Sequence, residues 1–400
     1  MLSSKECMAL EAQYGAKNYK PIPVVISKAK GVWVWDPEGR KYLDCLSAYS
    51  AVNQGHLHPK IIKAVKKQMR KVTLTSRAFH NDRLGTYLKK LCDFTGLEVA
   101  LPMNTGAEAV ETGIKIARRW GYRIKKVLQD QAEIIIANEN FHGRTTTIVG
   151  FSTDDGSKED FGPFTPGFIN IPYNDIEALE KAINQHTIAF MVEPIQGEAG
   201  VIIPDAGYLK KVSDICKKHH VLLILDEIQT GFGRTGKMFC FQHEDVLPDI
   251  LLVGKALSGG ILPVSAAITR HEIMDVITPG SHGSTFGGNP LGCAAAEAAL
   301  DVLIDEKLDV RSKELGAYFL EGIQQIASPL FKEVRGKGLL IAIELNDQAG
   351  GARQYTEKLK EKGILAKETH KTIIRFAPPL VIKKKEIDWA LGILKDVFTV

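Results

Sequence analysis

Residues 221–238 read VLLILDEIQTGFGRTGKM: five apolar residues, then two carboxylates, then a glycine-rich loop. Gly231, Gly233 and Gly236 have the G-x-G-x-x-G spacing of a dinucleotide fingerprint, and Gly231–Lys237 has that of a P-loop, one residue short. Both motifs need a helix that opens directly after the glycines, so that its free N–H groups and dipole meet an anion. The residues that follow, KMFCFQHEDVLPD, run instead into aromatics and a Val-Leu-Pro turn, and Met238 stands where a P-loop needs Ser or Thr for Mg²⁺. The glycines therefore read as the shape of an irregular loop, with a nucleotide-binding protein as the rival reading. Asp226 and Glu227 fall at the carboxyl end of a predicted strand, where ligands collect in open parallel sheets. A cap, an ion pair or a metal ligand are other uses for such a pair, although no nearby His or Cys completes a metal set.

Outward from this stretch, strand-like and helix-like patterns alternate. Helical spacing marks Ala107–Gly121, Asp175–His186 and Tyr208–His220, and short apolar runs mark Glu133–Ala137, Ile188–Val192, Val221–Leu225, Ile250–Val253 and Val264–Thr269. That alternation predicts βαβ units and an α/β fold whose mainly parallel central sheet is covered by helices. After about residue 310 the texture changes to paired strands over Lys332–Leu345, a helix over Arg353–Gly363, a strand over Thr372–Phe376 and a closing helix over Lys384–Phe398. Near the other end, GVWVWDPEGRKYLD (Gly31–Asp44) alternates like a hairpin around Pro-Glu-Gly. We expect an N-terminal segment, 1–48, that joins a small α+β domain, a large domain over 49–309, and the C-terminal part of the small domain over 310–400.

Bulk properties narrow the function. A formal charge of +4 over 400 residues leaves no nucleic-acid footprint. Lys383-Lys384-Lys385 is followed at once by Glu386 and Asp388, as at a solvated helix start. No apolar stretch approaches the roughly 18 residues of a membrane span. Six scattered cysteines without a C-x-x-C fit a reducing compartment. The start, MLSSKECMALEAQYG, resembles no signal or transit peptide, so the expected location is the cytoplasm. His56-x-His58 has the look of a metal pair but sits in a turn, and no metal is expected.

A second polar strand end gives Asp226 its meaning. In DILLVGKALSGG (Asp249–Gly260), Lys255 follows an apolar run and is flanked by small residues that leave room for a planar ligand. A strand-end lysine and a strand-end aspartate in one sheet are what pyridoxal phosphate (PLP) requires: the lysine forms the Schiff base, and the carboxylate keeps the pyridine nitrogen protonated. A phosphate anchor is available in MNTGAEAVETG (Met103–Gly113), where Thr105 can cap a helix and the N–H groups of Gly106 and Ala107 would face an anion.

These residues lie within longer motifs. SAYSAVNQGHLHPKI (Ser47–Ile61), NTGAEA, FHGRT (Phe141–Thr145), EPIQGEAG (Glu193–Gly200), LDEIQTGFGRTGK, GKALSGG and GSTFGGNPLGCAAA (Gly283–Ala296) together resemble the class III, fold-type I PLP-dependent aminotransferases, over nearly the whole chain. The family includes enzymes of ornithine, acetylornithine and aminobutyrate. The run from SAYSAVNQGH to SRAFH, with RFAPPLVI (Arg375–Ile382), is most similar to the ornithine branch.

The resemblance implies roles. Lys255 would hold PLP and move a proton, Asp226 would pair with the pyridinium, Gln229 would reach the ring hydroxyl, and Phe141 would stack on the ring beside His142. Gly106 and Ala107 would bind the phosphate, together with Ser284 and Thr285 from a partner subunit, which implies a homodimer. For substrate, Arg144 would clamp the α-carboxylate, Tyr19 would meet the α-amino group, and Tyr49 would restrict the pocket. Glu198 and Arg375 would form a pair that is closed for ornithine and open for α-ketoglutarate. The implied reaction is δ-amino transfer from ornithine, with acetylornithine or 4-aminobutyrate as alternative substrates. Two departures concern the pocket: His142 stands where some ornithine enzymes carry Trp, and Ile261-Leu262 where relatives often have an aromatic.

Overall fold

The computed structural model describes residues 2–399. Its centre is a seven-stranded sheet of β4 (Val99–Met103), β5 (Glu133–Ala137), β6 (Phe168–Ile171), β7 (Thr187–Val192), β8 (Leu222–Asp226), β9 (Ile250–Val253) and β10 (Ser265–Thr269), in the order β4-β10-β9-β8-β7-β5-β6. Strands β6, β5, β7, β8 and β9 pair in parallel, while β10 runs antiparallel to both β9 and β4. The sequences TIAFMV, LLILD and ILLV are buried at every position, because helices cover both faces and no side is left for water. Two apolar clusters fill the spaces above and below the sheet.

The predicted elements are present, with shifts at their ends. The strand expected at Val221–Leu225 begins and ends one residue later, so Asp226 is itself its last residue. The helix expected over Asp175–His186 is confined to Ile176–Ala182, with Asp175 capping it through the Ala178 N–H at 2.8 Å. The antiparallel direction of β10 carries no mark in its composition, since an apolar strand buried on both faces reads alike in either direction.

Two four-stranded sheets lie outside the central one. In the first, β1 (Lys28–Lys30), β2 (Trp33–Trp35) and β3 (Lys41–Asp44) form an antiparallel meander, and β13 (Ile364–Leu365) adds in parallel to β3. In the second, β11 (Phe331–Lys337), β12 (Leu340–Leu345), β15 (Ile373–Phe376) and β14 (Lys367–Thr369) pair antiparallel in that order.

The glycine loop leads into no long helix: turns span 228–239, and one 3₁₀ turn follows at Cys240–His243. Glu227 organises it. Its buried carboxylate accepts from Thr230 Oγ1, Cys240 N and Phe241 N, each at 2.8 Å. Arg234, also buried, donates to the carbonyls of Leu339 and Pro378 and to Asn53 Oδ1. The loop thereby ties the central sheet to the C-terminal sheet.

The sharpest conformational feature is a left-handed turn of four non-glycine residues, Ser47–Ser50, with φ of 52°, 47°, 59° and 71°. Each L-residue in that region costs about 1–2 kcal/mol. Asp44 Oδ1 holds the entry by accepting from Leu46 N and Ser47 N, both at 2.8 Å, and Ser47 Oγ donates to the Ala377 carbonyl at 2.5 Å. Ala48 is exposed and its methyl packs against little, so removing it relieves strain at small loss. Ala48→Gly is expected to stabilise the protein by up to about 1 kcal/mol in chemical denaturation, since strain relief exceeds the added unfolded-chain entropy. A clear loss of stability would contradict that account.

Candidate active site

Polar residues gather at the carboxyl ends of β7, β8 and β9. Glu193 follows β7, Asp226 ends β8, and Lys255 follows β9 as the first residue of a 3₁₀ turn, with φ of 44°. Beside them lies the N-terminus of the helix Gly106–Trp120, which follows β4. Thr105 caps this helix by accepting from Glu108 N, and Glu108 returns the bond to Thr105 N at 2.7 Å. Helical geometry leaves the N–H groups of Gly106 and Ala107 without carbonyl partners in their own helix.

These elements enclose a cavity of about 210 Å³ lined by Gly106, Ala107, Phe141, His142, Glu193, Glu198, Asp226, Gln229 and Lys255, among others. A second cavity of about 250 Å³ shares Phe141, His142 and Glu198 and adds Arg144, Thr369 and His370. Eight of the residues expected from the sequence thus line the first cavity, and Arg144 lines the second, its guanidinium 5.7 Å from the Phe141 ring centre. Arg375 is buried behind Glu198, donating from Nη1 to Glu198 Oε1 and to the Gly197 carbonyl, both at 2.9 Å. Tyr49 lies with its ring 5.3 Å from the Arg375 guanidinium. Tyr19, 72% exposed, meets Tyr49 only across a separate, largely apolar cavity of about 540 Å³.

Ser284 and Thr285 are not brought to this site. Ser284 Oγ accepts from Asn104 Nδ2 at 2.8 Å, beside the helix cap, while Thr285 and Phe286 point into solvent.

The electrostatics follow from burial. Asp226 is fixed on both oxygens: Oδ1 accepts from Ile228 N at 3.0 Å, and Oδ2 faces His142 Nδ1 at 2.7 Å. Burial disfavours a charged His142, but the hydrogen bond and charge of Asp226, with Glu193 adding, outweigh it and raise the imidazole above its ordinary pKa. Burial pushes the Lys255 amine below the usual lysine range, against the pull of Glu198 and Asp226. For Glu198 burial works upward, yet Arg375 and Lys255 hold the carboxyl below the ordinary value. His142 Nε2 and Gln229 Oε1 are buried polar atoms with no partner in the protein, and both residues line the cavity. A ligand with polar edges would satisfy them.

Sequence reasoning missed Glu193 as a site residue, though it obeys the strand-end rule that singled out Asp226. Its Oε2 accepts from Phe141 N at 3.0 Å, and burial, partly offset by His142, pushes its pKa up to about 7. Glu227, in contrast, faces the loop and not the cavity. The two turn histidines each meet a carboxylate, His56 with Asp44 at 2.8 Å and His58 with Glu306 at 3.0 Å. Among the described residues no group of three or more His, Cys, Asp or Glu has the arrangement of a metal site.

A lysine and an aspartate at adjacent strand ends, facing one cavity beside a capped helix N-terminus, are the arrangement of a PLP enzyme, and comparison with known proteins narrows the class. The model of the family Aminotransferase class-III matches residues 14–398, and the chain belongs to that family. The ornithine aminotransferase of Brevibacillus brevis is 61% identical over 388 residues, which cover 97% of this chain and 96% of that one. A crystal structure of the ornithine aminotransferase of Toxoplasma gondii, with PLP in partial occupancy at its active site, has a TM-score of 0.98 at 47% identity, covering 99% of this chain and 94% of that one. The acetylornithine aminotransferase of Elizabethkingia anophelis has a TM-score of 0.91 at 50% identity, covering 100% and 99%. The residues on the cavity wall fit PLP: an amine, a fixed carboxylate, an aromatic face, unpaired polar atoms and a helix N-terminus for the phosphate.

Glu193 provides a test of the cavity's dielectric. A carboxyl whose folded pKa lies above its unfolded value contributes stability that is complete below the unfolded value and is lost as pH rises through about 7. Glu193→Gln should therefore raise the thermal midpoint by about 2–4 °C at pH 8, with the gain shrinking towards zero at pH 5. A gain of equal size at both pH values would rule out titration of Glu193 as its source.

Proposed function

We propose that this chain transfers the δ-amino group of L-ornithine to α-ketoglutarate, giving glutamate semialdehyde, which cyclises to pyrroline carboxylate, and glutamate. The observation that carries the reading is the pair of buried Arg375 and half-buried Glu198 at 2.9 Å, with the Tyr49 ring 5.3 Å from the arginine, at the edge of the Lys255–Asp226 cavity. An enzyme that alternates between a diamino acid and a dicarboxylate keto acid needs a cation that can be hidden and exposed. Arg375 meets that need, since a carboxylate of its own chain masks it.

PLP supplies, when bound, a carbonyl that receives the substrate amine and a ring that takes up the electrons released when a substrate C–H bond breaks. The chain's own residues do the rest. The Lys255 amine, depressed by burial, is kept ready to accept and return the proton at the substrate carbon. Asp226, fixed on both oxygens, presents a carboxylate to the ring nitrogen, and His142 keeps it oriented. Gly106 and Ala107 offer N–H groups to the phosphate, Gln229 a polar group to the ring hydroxyl, and Phe141 an aromatic face. Arg144, bound by no carboxylate of its own chain among the described residues, is free to take the α-carboxylate, while Tyr19 lines only the neighbouring cavity and could meet the α-amino group only from beyond Tyr49.

Ser284 and Thr285 complete the phosphate site of a second copy, so we infer a homodimer with its active sites at the interface. The sheet shared by β1–β3 and β13 supports a small domain drawn from both ends of the chain, 1–48 with 310–400, around a large one of 49–309. Six free cysteines fit a cytoplasmic enzyme, and no described helix is long and apolar enough to cross a membrane. The likeness to the Elizabethkingia enzyme makes acetylornithine the second reading for substrate.

Purified protein should be yellow, and ornithine should discharge the colour. Lys255→Ala should lower turnover by about 10²–10⁴-fold or more. With α-ketoglutarate as acceptor, ornithine should exceed acetylornithine and 4-aminobutyrate in kcat/KM, with pyrroline carboxylate trapped as product, and Tyr49→Ile should narrow that preference. A preference for acetylornithine would transfer the assignment to the second reading. A protein that elutes as a monomer with full activity would remove the proposed role of Ser284 and Thr285.

A further inference from the structure

We propose that Arg335, which lines neither active-site cavity, is a positioning residue that fixes the loop bearing Glu198 and so sets how the site divides between diamino acid and dicarboxylate. The proposal rests on the reading of Glu198 and Arg375 as a switchable pair.

The loop 197–201 is closed by an isolated antiparallel bridge between Gln196 and Ile202 and hangs from the C-terminal sheet by its carbonyl groups. Arg375 Nη1 donates to the Gly197 carbonyl at 2.9 Å, and Thr369 Oγ1 donates to that of Glu198. Arg335 takes the other two. Its Nε and Nη2 donate to Gly200 at 3.1 and 2.8 Å, and its Nε also reaches Val201 at 3.2 Å. Four carbonyls of a five-residue loop are thus held by three side chains of one sheet.

The register explains why these side chains work together. Arg335 of β11 pairs with Ala342 of β12, Ala342 pairs with Arg375 of β15, and Arg375 pairs with Lys367 of β14. Arg335 and Arg375 therefore stand on one rung of the sheet, separated by a methyl side chain. Ala342 belongs to the same apolar cluster as Ile195 and Val201, so the loop lies over that gap. Gly200 makes the close seat possible: its φ is 112°, and a Cβ there would come within 2.4 Å of Ile373 Cδ1.

Arg335 cannot drift with the loop, because Glu333 and Glu344 each hold its Nη1 at 2.6 Å. The Glu198 side chain is held only by Arg375 and by Gln229 Nε2, at 2.9 and 3.1 Å. The loop has a fixed back and a movable carboxylate. When the carboxylate leaves Arg375, the carbonyls of Gly200 and Val201 stay on Arg335, and the pair can close again in the same place. Without that anchor, Glu198 meets Arg375 less often, and Arg375 stands open to an incoming carboxylate.

The test uses the PLP-loaded enzyme and three measurements: the half-reaction with ornithine, the half-reaction of the aminated enzyme with α-ketoglutarate, and equilibrium binding of glutarate, an unreactive dicarboxylate, read from cofactor absorbance. For Arg335→Gln we expect glutarate to bind about three- to ten-fold tighter and ornithine kcat/KM to fall about ten-fold, while kcat/KM of the keto-acid half-reaction is kept or rises by up to a similar factor. Arg335→Lys, which keeps the charge but not the fork that spans two carbonyls, should show smaller shifts of the same sign and provides the reading where the glutamine variant does not fold. In a Glu198→Ala background, Arg335→Gln should leave glutarate affinity unchanged. Equal losses in both half-reactions, or the same shift persisting in that background, would overturn the proposal and leave Arg335 a general structural clamp. If Glu198→Ala alone fails to tighten glutarate, the switchable pair is wrong, and the inference falls with it.

Discussion

The structure depends on holding a carboxylate at the end of a strand that water does not reach. β8 is buried along its whole length, and placing Asp226 at its tip exposes the chain to the full cost of an unpaired buried charge. The protein meets that cost locally, with the Ile228 N–H on one oxygen and His142 on the other. Both partners require particular backbone: the turn that directs Ile228 back, and the FHG segment that carries His142 across from behind β5. The wall of the cavity is largely the set of elements needed to stabilise this one charge. Glu193 shares that burial, which raises its pKa with a smaller push from Asp226, against His142 and the one N–H bond from Phe141.

Much of this was legible in the sequence, for a physical reason. Strands buried on both faces must be continuously apolar, so IAFMV, LLIL and ILLV announce the sheet, and a polar residue that interrupts such a run at its end is there for a purpose. Asp226 and Lys255 were found in that way. Thr105 declared a helix cap by its position alone, and the structure adds Glu108, which completes a capping box. The residues proposed to recognise substrate were less visible. Arg375 lies inside β15 as one charge in IIRF, and nothing in the chain near it indicates Glu198. Their pairing exists only because two sheets meet over the loop 197–201. The left-handed turn at Ser47–Ser50 was equally hidden, since it holds no glycine and is maintained by Asp44 and Ala377, one before the turn and one far along the chain.

The glycine loop illustrates how a motif can be right in spacing and wrong in use. Gly233 and Gly236 take left-handed φ of 87° and 92°, and a Cβ at either would press on the helix Leu308–Gln324, at Asp309 and Lys313. They serve close approach between backbones, not contact with a phosphate. Glu227 draws the loop inward, and Arg234 then reaches three acceptors outside it, Asn53, Leu339 and Pro378. Adjacent carboxylates in one dipeptide thus divide the work: Asp226 faces the cavity, and Glu227 anchors the loop that joins the sheets.

The parallel addition of β13 to β3 bears on how such a chain comes together. Arg40, next to β3, donates to the carbonyl of Glu361, 321 residues further on. On a ribosome the meander of β1–β3 emerges early and presents an open edge, while the strand that covers it is still unmade. The central sheet, whose strands lie between, can assemble in the interval, but this small sheet closes only when the chain is nearly finished. Until then β3 is an unpaired edge, and the exposed Lys41 at its start is the kind of charge that disfavours pairing with another chain.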